Sequence, residues 1–420
     1  MKRASLVAFS ATSIAALVLA ACAPAATPAP SVETVRIYSS LPLTGSSAGQ
    51  TTTIVNAINL AIEQQRHQPR HRAADRRRPG VRRQDQDRLR LARRRHGRGG
   101  SVGRRQGEWD AAKEQENANK AVADADTMVY IGTFNSGAAR VSIPILNEAG
   151  IVMISPANTA DDLTAGEDTA KYYPNGVRNY TRVVARDAYQ GAFAAKWAAK
   201  LGAKNVYILD DTQIYGKGVA DQFEANTAAN GLTVVGRDGI DGKAADYKAL
   251  ATKIAGTSPD LIYYGGITQN NAGQLLKDIR AAGITAMFMG PDGILESAFI
   301  EAAGADVAEG VYGTIAGNPR AKLPEAGQKF YSDYQAKFNS EPEAYAIYGF
   351  EAASVAIKAI STVCVKDRAA ILSAVYTTKD FAGVLGTWSF DENGDTNLYA
   401  MLGNVVKSGK WEEAPADILP

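Results

Sequence analysis

What this chain lacks bounds the chemistry it could perform. Its three histidines, His67, His71 and His96, all fall inside one arginine-rich stretch, and its two cysteines, Cys22 and Cys364, stand far apart. With no histidine elsewhere, neither a Ser-His-Asp nor a Cys-His arrangement has a base. No Walker lysine loop and no H-E-x-x-H occurs. Two cysteines cannot build a metal cluster, and no cofactor or metal is expected. Carboxylates are plentiful, so composition leaves a carboxylate-only hydrolase open, without a motif to support it. The expectation is a chain that makes and breaks no bond.

What remains is a set of turns rich in small polar residues. Thr133-Phe134-Asn135-Ser136-Gly137 follows the apolar run MVYIG and opens a helical pattern. Free N–H groups and the helix dipole at such a point suit a carboxylate, although Asn135 or Ser136 serving only as a helix cap would read the same way. Pro156-Ala157-Asn158-Thr159 follows IVMIS, at the carboxyl end of a strand where α/β proteins hold ligands. Pro291-Asp292-Gly293 follows MFMG; it is also ordinary turn chemistry.

The elements that must position these turns alternate between strand and helix, which predicts an α/β protein with mostly parallel sheets flanked by helices. Short apolar runs predict strands at 35–41, 128–132, 151–155, 205–209, 232–236, 260–264 and 286–290, then near 386–390 and 399–406. Helices are expected at 51–64, 111–125, 137–148, 217–230, 244–256, 272–283, 325–338, 344–363 and 369–376, with Gly150 placed as a C-terminal glycine. Cys364, in the apolar stretch AIKAISTVCV, is expected to be a buried inert thiol.

The N-terminus reads as an address. Lys2 and Arg3 precede an apolar run from Ala4 to Val18 and then Leu19-Ala20-Ala21-Cys22, the layout of an export signal too short to span a bilayer comfortably. The ending resembles a bacterial lipoprotein signal, implying lipid on Cys22, a Pro/Ala tether over 23–33, and a location outside the cytoplasm, anchored to the membrane. The charge total misleads. Between Arg66 and Arg105 lie 16 Arg, 3 Asp and neither Lys nor Glu, a local charge of +13 in a chain whose total is +2. The stretch has no aromatic residue and no sustained period. A basic arm or a disordered insertion would fit, but the favoured expectation is a compensated pair of frameshifts over about 66–106. No nucleic-acid partner is expected.

Taken in order, IGTFNSG, IVMISPANT, LDDTQIYGKG, LIYYGG, FMGPDG and AYAIYGFEAA resemble the branched-chain amino-acid-binding proteins of ABC transporters, the type I periplasmic binding proteins. The resemblance covers nearly everything from Thr34 onward except the arginine-rich run. It implies two α/β lobes joined by three crossovers near Val183, Ile315 and Leu385, with 34–183 and 316–385 in lobe 1 and 184–315 and 386–420 in lobe 2. It implies that Ser136 and neighbouring N–H groups, Asn135 beside them, receive a ligand carboxylate. Ala157 would offer a carbonyl, Thr159 a hydroxyl, and Asp292 a partner for an ammonium; better-studied relatives have glutamate there. Tyr215 and Tyr345 stand at positions of cleft aromatics, and Ile267 where an aromatic is often found. The implied function is a monomeric receptor that captures an amino-acid-like solute and delivers it to an ABC permease. A sensory module of the same fold and, further off, a basic surface- or nucleic-acid-binding protein are the alternatives.

Overall fold

The computed structural model describes residues 33–45, 47–67, 89–91 and 110–420. Two sheets organise it. The first contains β1 (Glu33–Ser40), β2 (Leu89–Leu91), β3 (Thr127–Gly132), β4 (Val152–Ser155) and β5 (Tyr180–Arg182), in the order β2-β1-β3-β4-β5, every pairing parallel. The second contains β6 (Asn205–Asp210), β7 (Thr233–Gly239), β8 (Leu261–Gly265), β9 (Met287–Gly290) and β10 (Tyr312–Ala316). A short antiparallel hairpin, β11 (Phe381–Ala382) with β12 (Thr387–Trp388), stands apart from both sheets. The second sheet is completed by β13 (Met401–Lys407) and β14 (Lys410–Glu413), giving the order β14-β13-β10-β9-β8-β6-β7. Its two last strands join antiparallel, the rest parallel.

Twelve helices flank these sheets among the described residues: α1 (Ala48–His67), α2 (Ala111–Ala123), α3 (Ser136–Glu148), α4 (Asp187–Lys200), α5 (Ile214–Ala225), α6 (Lys248–Ala255), α7 (Ala272–Ala281), α8 (Ser297–Ala303), α9 (Ala305–Ala308), α10 (Glu325–Phe338), α11 (Ala346–Val363) and α12 (Arg368–Tyr376). Helices on both faces explain the sequence pattern. All six residues of β3 are buried, so the strand reads as one apolar run rather than an alternation. The apolarity of α11 has the same cause: Ile347, Ala353, Val355, Ile357 and Ile360 belong to the core built on the first sheet. Gly150, at φ 67°, adopts the left-handed conformation just past α3, where a glycine carries no Cβ penalty.

The chain passes between lobes three times. The first passage is Val183–Arg186, between β5 and α4, and the second follows Ala316, where β10 leaves the second sheet. The third lies later than the position near Leu385 suggested by the sequence. Trp388 and Phe390 bury in the first lobe's core, and Asp395 pairs there with Arg182, so the chain joins the second sheet only at Met401. The stretch expected as a second-lobe strand at 386–390 is instead held to the first lobe, because the Trp388 indole donates to the buried Glu351 at 2.7 Å. Cys364 is partly exposed at the end of α11, not buried.

Of the arginine-rich segment, the structure describes the end of α1 and Leu89–Leu91, which pair in register with Glu33–Val35 at one edge of the first sheet. The frameshift expectation otherwise falls outside the described residues, as do the signal, Cys22 and the tether.

Candidate functional site

Two of the turns singled out in the sequence are laced into one frame. Asn158 donates from Nδ2 to the Phe134 carbonyl at 3.0 Å and accepts from the Thr133 N–H at 3.3 Å. Ser155 Oγ accepts from the N–H groups of Ala157 (3.2 Å) and Asn158 (2.9 Å), closing a Ser turn on the end of β4. Ser136 Oγ accepts from the Ala160 N–H at 3.3 Å. Asn135 stands at the N-cap of α3 but makes no side-chain capping bond, which leaves the first turn's N–H groups without a side-chain acceptor. Thr159 is buried and its hydroxyl has no partner.

Behind this frame sits Arg182, fully buried. It donates from Nη1 to the carbonyls of Asn158 (3.2 Å) and Ala160 (2.8 Å), from Nη2 to Thr164 Oγ1, and from Nε to Asp395 at 2.6 Å. One guanidinium thus fixes the turn after β4 and ties it to the approach of the third passage.

The second lobe supplies carboxylates. Asp292 follows β9; its Oδ2 accepts from the Tyr345 hydroxyl and its Oδ1 has no partner. Because Tyr345 packs in the first lobe's core, that bond spans the lobes. Asp187 opens α4; its N–H donates to the Thr159 carbonyl at 2.9 Å, while neither side-chain oxygen has a partner. Burial pushes both carboxyls up, Asp187 well up, with the nearby charges of Asp161 and Asp292 adding to it. For Asp292, the hydrogen bond from Tyr345 pulls partly back. The Tyr215, Tyr263 and Tyr345 hydroxyls are raised well above the usual phenol, first by burial and then by the field of both carboxylates. Two acids and three tyrosines therefore surround one buried point.

Outward from it lies a cavity of about 230 Å³ between the lobes. Asn135, Ser136 and Gly137 line it from the first lobe, Tyr215, Ile267, Asp211 and Asn270 from the second. The sequence-predicted residues therefore fall into two groups. Ser136, Asn135, Tyr215 and Ile267 border the cavity, while Asp292, Tyr345 and Thr159 lie among the buried groups beside it. Ala157 is buried in the turn between them. A larger hollow of about 580 Å³, among α1, α10 and α11, is remote from the strand ends. No cluster of three or more His, Cys, Asp or Glu residues suited to a metal ion occurs among the described residues.

Residues 34–410 match the family model described as periplasmic binding protein. The chain belongs to that family. Among relatives of this binding protein is the Leu/Ile/Val-binding protein BraC3 of Rhizobium johnstonii, 32% identical over 297 residues, covering 70% of this chain and 76% of that one. Among solved structures, the leucine-binding protein LivK of Thermotoga maritima superposes with a TM-score of 0.75 at 26% identity, over 91% of this chain and 98% of that one. LivJ of Streptococcus pneumoniae, solved with isoleucine, gives 0.73 at 23% identity, over 90% and 98%. Relatives and structures together place the binding protein among the branched-chain amino-acid substrate-binding proteins of ABC transporters, with the two-lobed type I fold. Its family and fold are those of binding proteins and imply a location outside the cytoplasm.

Sequence reading missed Asp187, Tyr263, Arg182 and Asp395. Asp187 left one signal, an acidic residue opening a helix after RVVAR, which by itself only complements the helix dipole.

Proposed function

We propose that this binding protein closes on a free α-amino acid and delivers it to an ABC permease. One observation carries the proposal. Ser136 at the uncapped start of α3 shares a hydrogen-bonded frame with Asp187, and Asp292, held by the Tyr345 hydroxyl, lies close enough for the two carboxylates to feel each other's charge; three of their four carboxylate oxygens have no protein partner. A zwitterion complements both ends. Its carboxylate meets the helix N-terminus and the Ser136 hydroxyl, and its ammonium meets the Thr159 hydroxyl, the Ala157 carbonyl and the two acids. Tyr215 and Tyr345 wall the site, with Ile267 at the cavity. Ligand touching both lobes shifts the population toward the closed form, the state a permease would recognise.

The test is calorimetric titration with L-leucine, its deaminated acid 4-methylpentanoate and its decarboxylated amine isopentylamine. The amino acid should bind and both truncated analogues should fall short by at least tenfold. Equal binding of 4-methylpentanoate defeats the assignment of the acids. The receptor acts as a monomer held to the membrane by lipid on Cys22. Supporting this are the Leu-Ala-Ala-Cys ending and the tether; Cys22→Ser should move the protein from the detergent phase to the aqueous phase of a partition assay.

A further inference from the structure

The cavity beside the buried acids differs from what an alkyl side chain needs. Its second-lobe wall carries Asp211, Gln213, Lys243 and Asn270, with Ile214 and Ile267 as the aliphatic part, and Asn135 faces them from the first lobe. Asn270 and Asp211 are buried, so this polarity is built into the wall rather than confined to the rim. Asp211 is largely committed to the wall itself, its oxygens accepting from the Gln213 N–H (3.0 Å), the Asn270 amide (2.7 Å) and the Ile267 N–H (3.3 Å), which leaves it little capacity for a cationic chain. An anionic chain would meet Asp211 nearby and Asp187 and Asp292 beyond it, three acids against the one cation of the lining, Lys243. A branched alkyl chain would strip water from the amides of Asn135, Gln213 and Asn270 and return no hydrogen bond, an outcome that costs more than a missing methylene. Methylenes against Ile214 and Ile267, ending in a group that both donates and accepts, satisfy the wall.

Resting on the amino-acid reading above, we infer that the ligand's side chain is uncharged and polar, a carboxamide as in glutamine or asparagine, and that Gln213 and Asn270 select it. This departs from the branched-chain preference carried by the relatives' names.

The experiment is competitive titration of the full chain with L-glutamine, L-asparagine, L-glutamate and L-leucine, repeated on Gln213→Leu. Gln213 is exposed at the cavity mouth, so its replacement leaves folding intact, and the unliganded melting temperature verifies this. Expected is an amide amino acid bound at least tenfold more tightly than leucine and glutamate, with the amide-to-leucine ratio falling about tenfold in Gln213→Leu. Leucine bound as tightly as either amide overturns the inference while leaving an amino-acid receptor. A wild-type preference untouched by Gln213→Leu overturns the role of Gln213. Binding of a deaminated acid in place of every amino acid overturns both this inference and the reading beneath it.

Discussion

Replacing Asp292 and Asp187 by asparagine should move affinity and stability in opposite directions. Asp292→Asn can keep the Tyr345 contact through its carbonyl oxygen, but its amide then points where Oδ1 now lies without a partner. The ligand ammonium loses a charge-assisted hydrogen bond worth about 1.5–3 kcal/mol and gains a donor in its place. At 1.4 kcal/mol per decade, affinity should fall about 10- to 150-fold. Asp187→Asn should act in the same sense. Because the two acids serve one charge, the double variant should deviate from the sum of the single losses. The unliganded protein should respond the other way, since each amide removes a charge that burial disfavours and, at Asp187, one that Asp161 and Asp292 also repel. Both carboxyls titrate above the usual range, and only their ionised forms attract an ammonium, so acidification should weaken binding by the wild type. Calorimetry paired with thermal melts reads both effects. Affinity within twofold of wild type for Asp292→Asn, or a lowered unliganded melting temperature with unaltered binding, would refute the reasoning.

Three other perturbations have definite outcomes. Arg182→Met leaves the buried Asp395 with only the contact to Arg186 at 3.3 Å and the Thr164 hydroxyl, and strips two buried carbonyls of a donor; denaturant titration should show a loss of about 3–5 kcal/mol, and a loss below 1 would mean the network is dispensable. Glu114, Glu296 and Glu351 are each raised by burial to about 7, so the native state holds extra protons above the unfolded carboxyl range of about 4.3; stability should decline by about 1.4 kcal/mol per pH unit per group as pH rises toward 7, and a melting temperature higher at pH 8 than at pH 6 contradicts this. Gly216→Ala would set a Cβ 2.1 Å from Asp211 Oδ1 and 2.6 Å from the Gly265 carbonyl; overpacking of about 1–3 kcal/mol should appear in melts, with weakened ligand binding because Tyr215 is the next residue, and a neutral result would show that α5 can move.

The sequence made the architecture legible where burial is total. β3, β4 and β8 read as strands because helices cover both faces and leave no polar alternation. β5 escaped notice because it is three residues long and ends in Arg182, a side chain that looks solvent-facing until Asp395, more than two hundred positions later, is seen beside it. The third passage was misplaced for a related reason: a Trp388 within a short strand pattern does not reveal which lobe owns it, and only the Glu351 carboxylate decides. At the site, turns after strands could be named one by one, because small polar residues there have local signatures. Asp187 could not, because its role depends on its position between the lobes.

The late arrival of β13 and β14 has a consequence for the order in which this molecule can be assembled. The second sheet is built from five strands laid down by Ala316 and closed by two more that follow Met401, while the first lobe waits for α10 to α12 and the hairpin after them. Neither lobe is a contiguous stretch that can seal its core as it leaves the ribosome. Nearly the whole polypeptide must exist before either half becomes fully stable, so the nascent chain stays loose for most of its synthesis. For a protein that works outside the cytoplasm, delayed closure keeps the chain in a form that can still be threaded through a membrane.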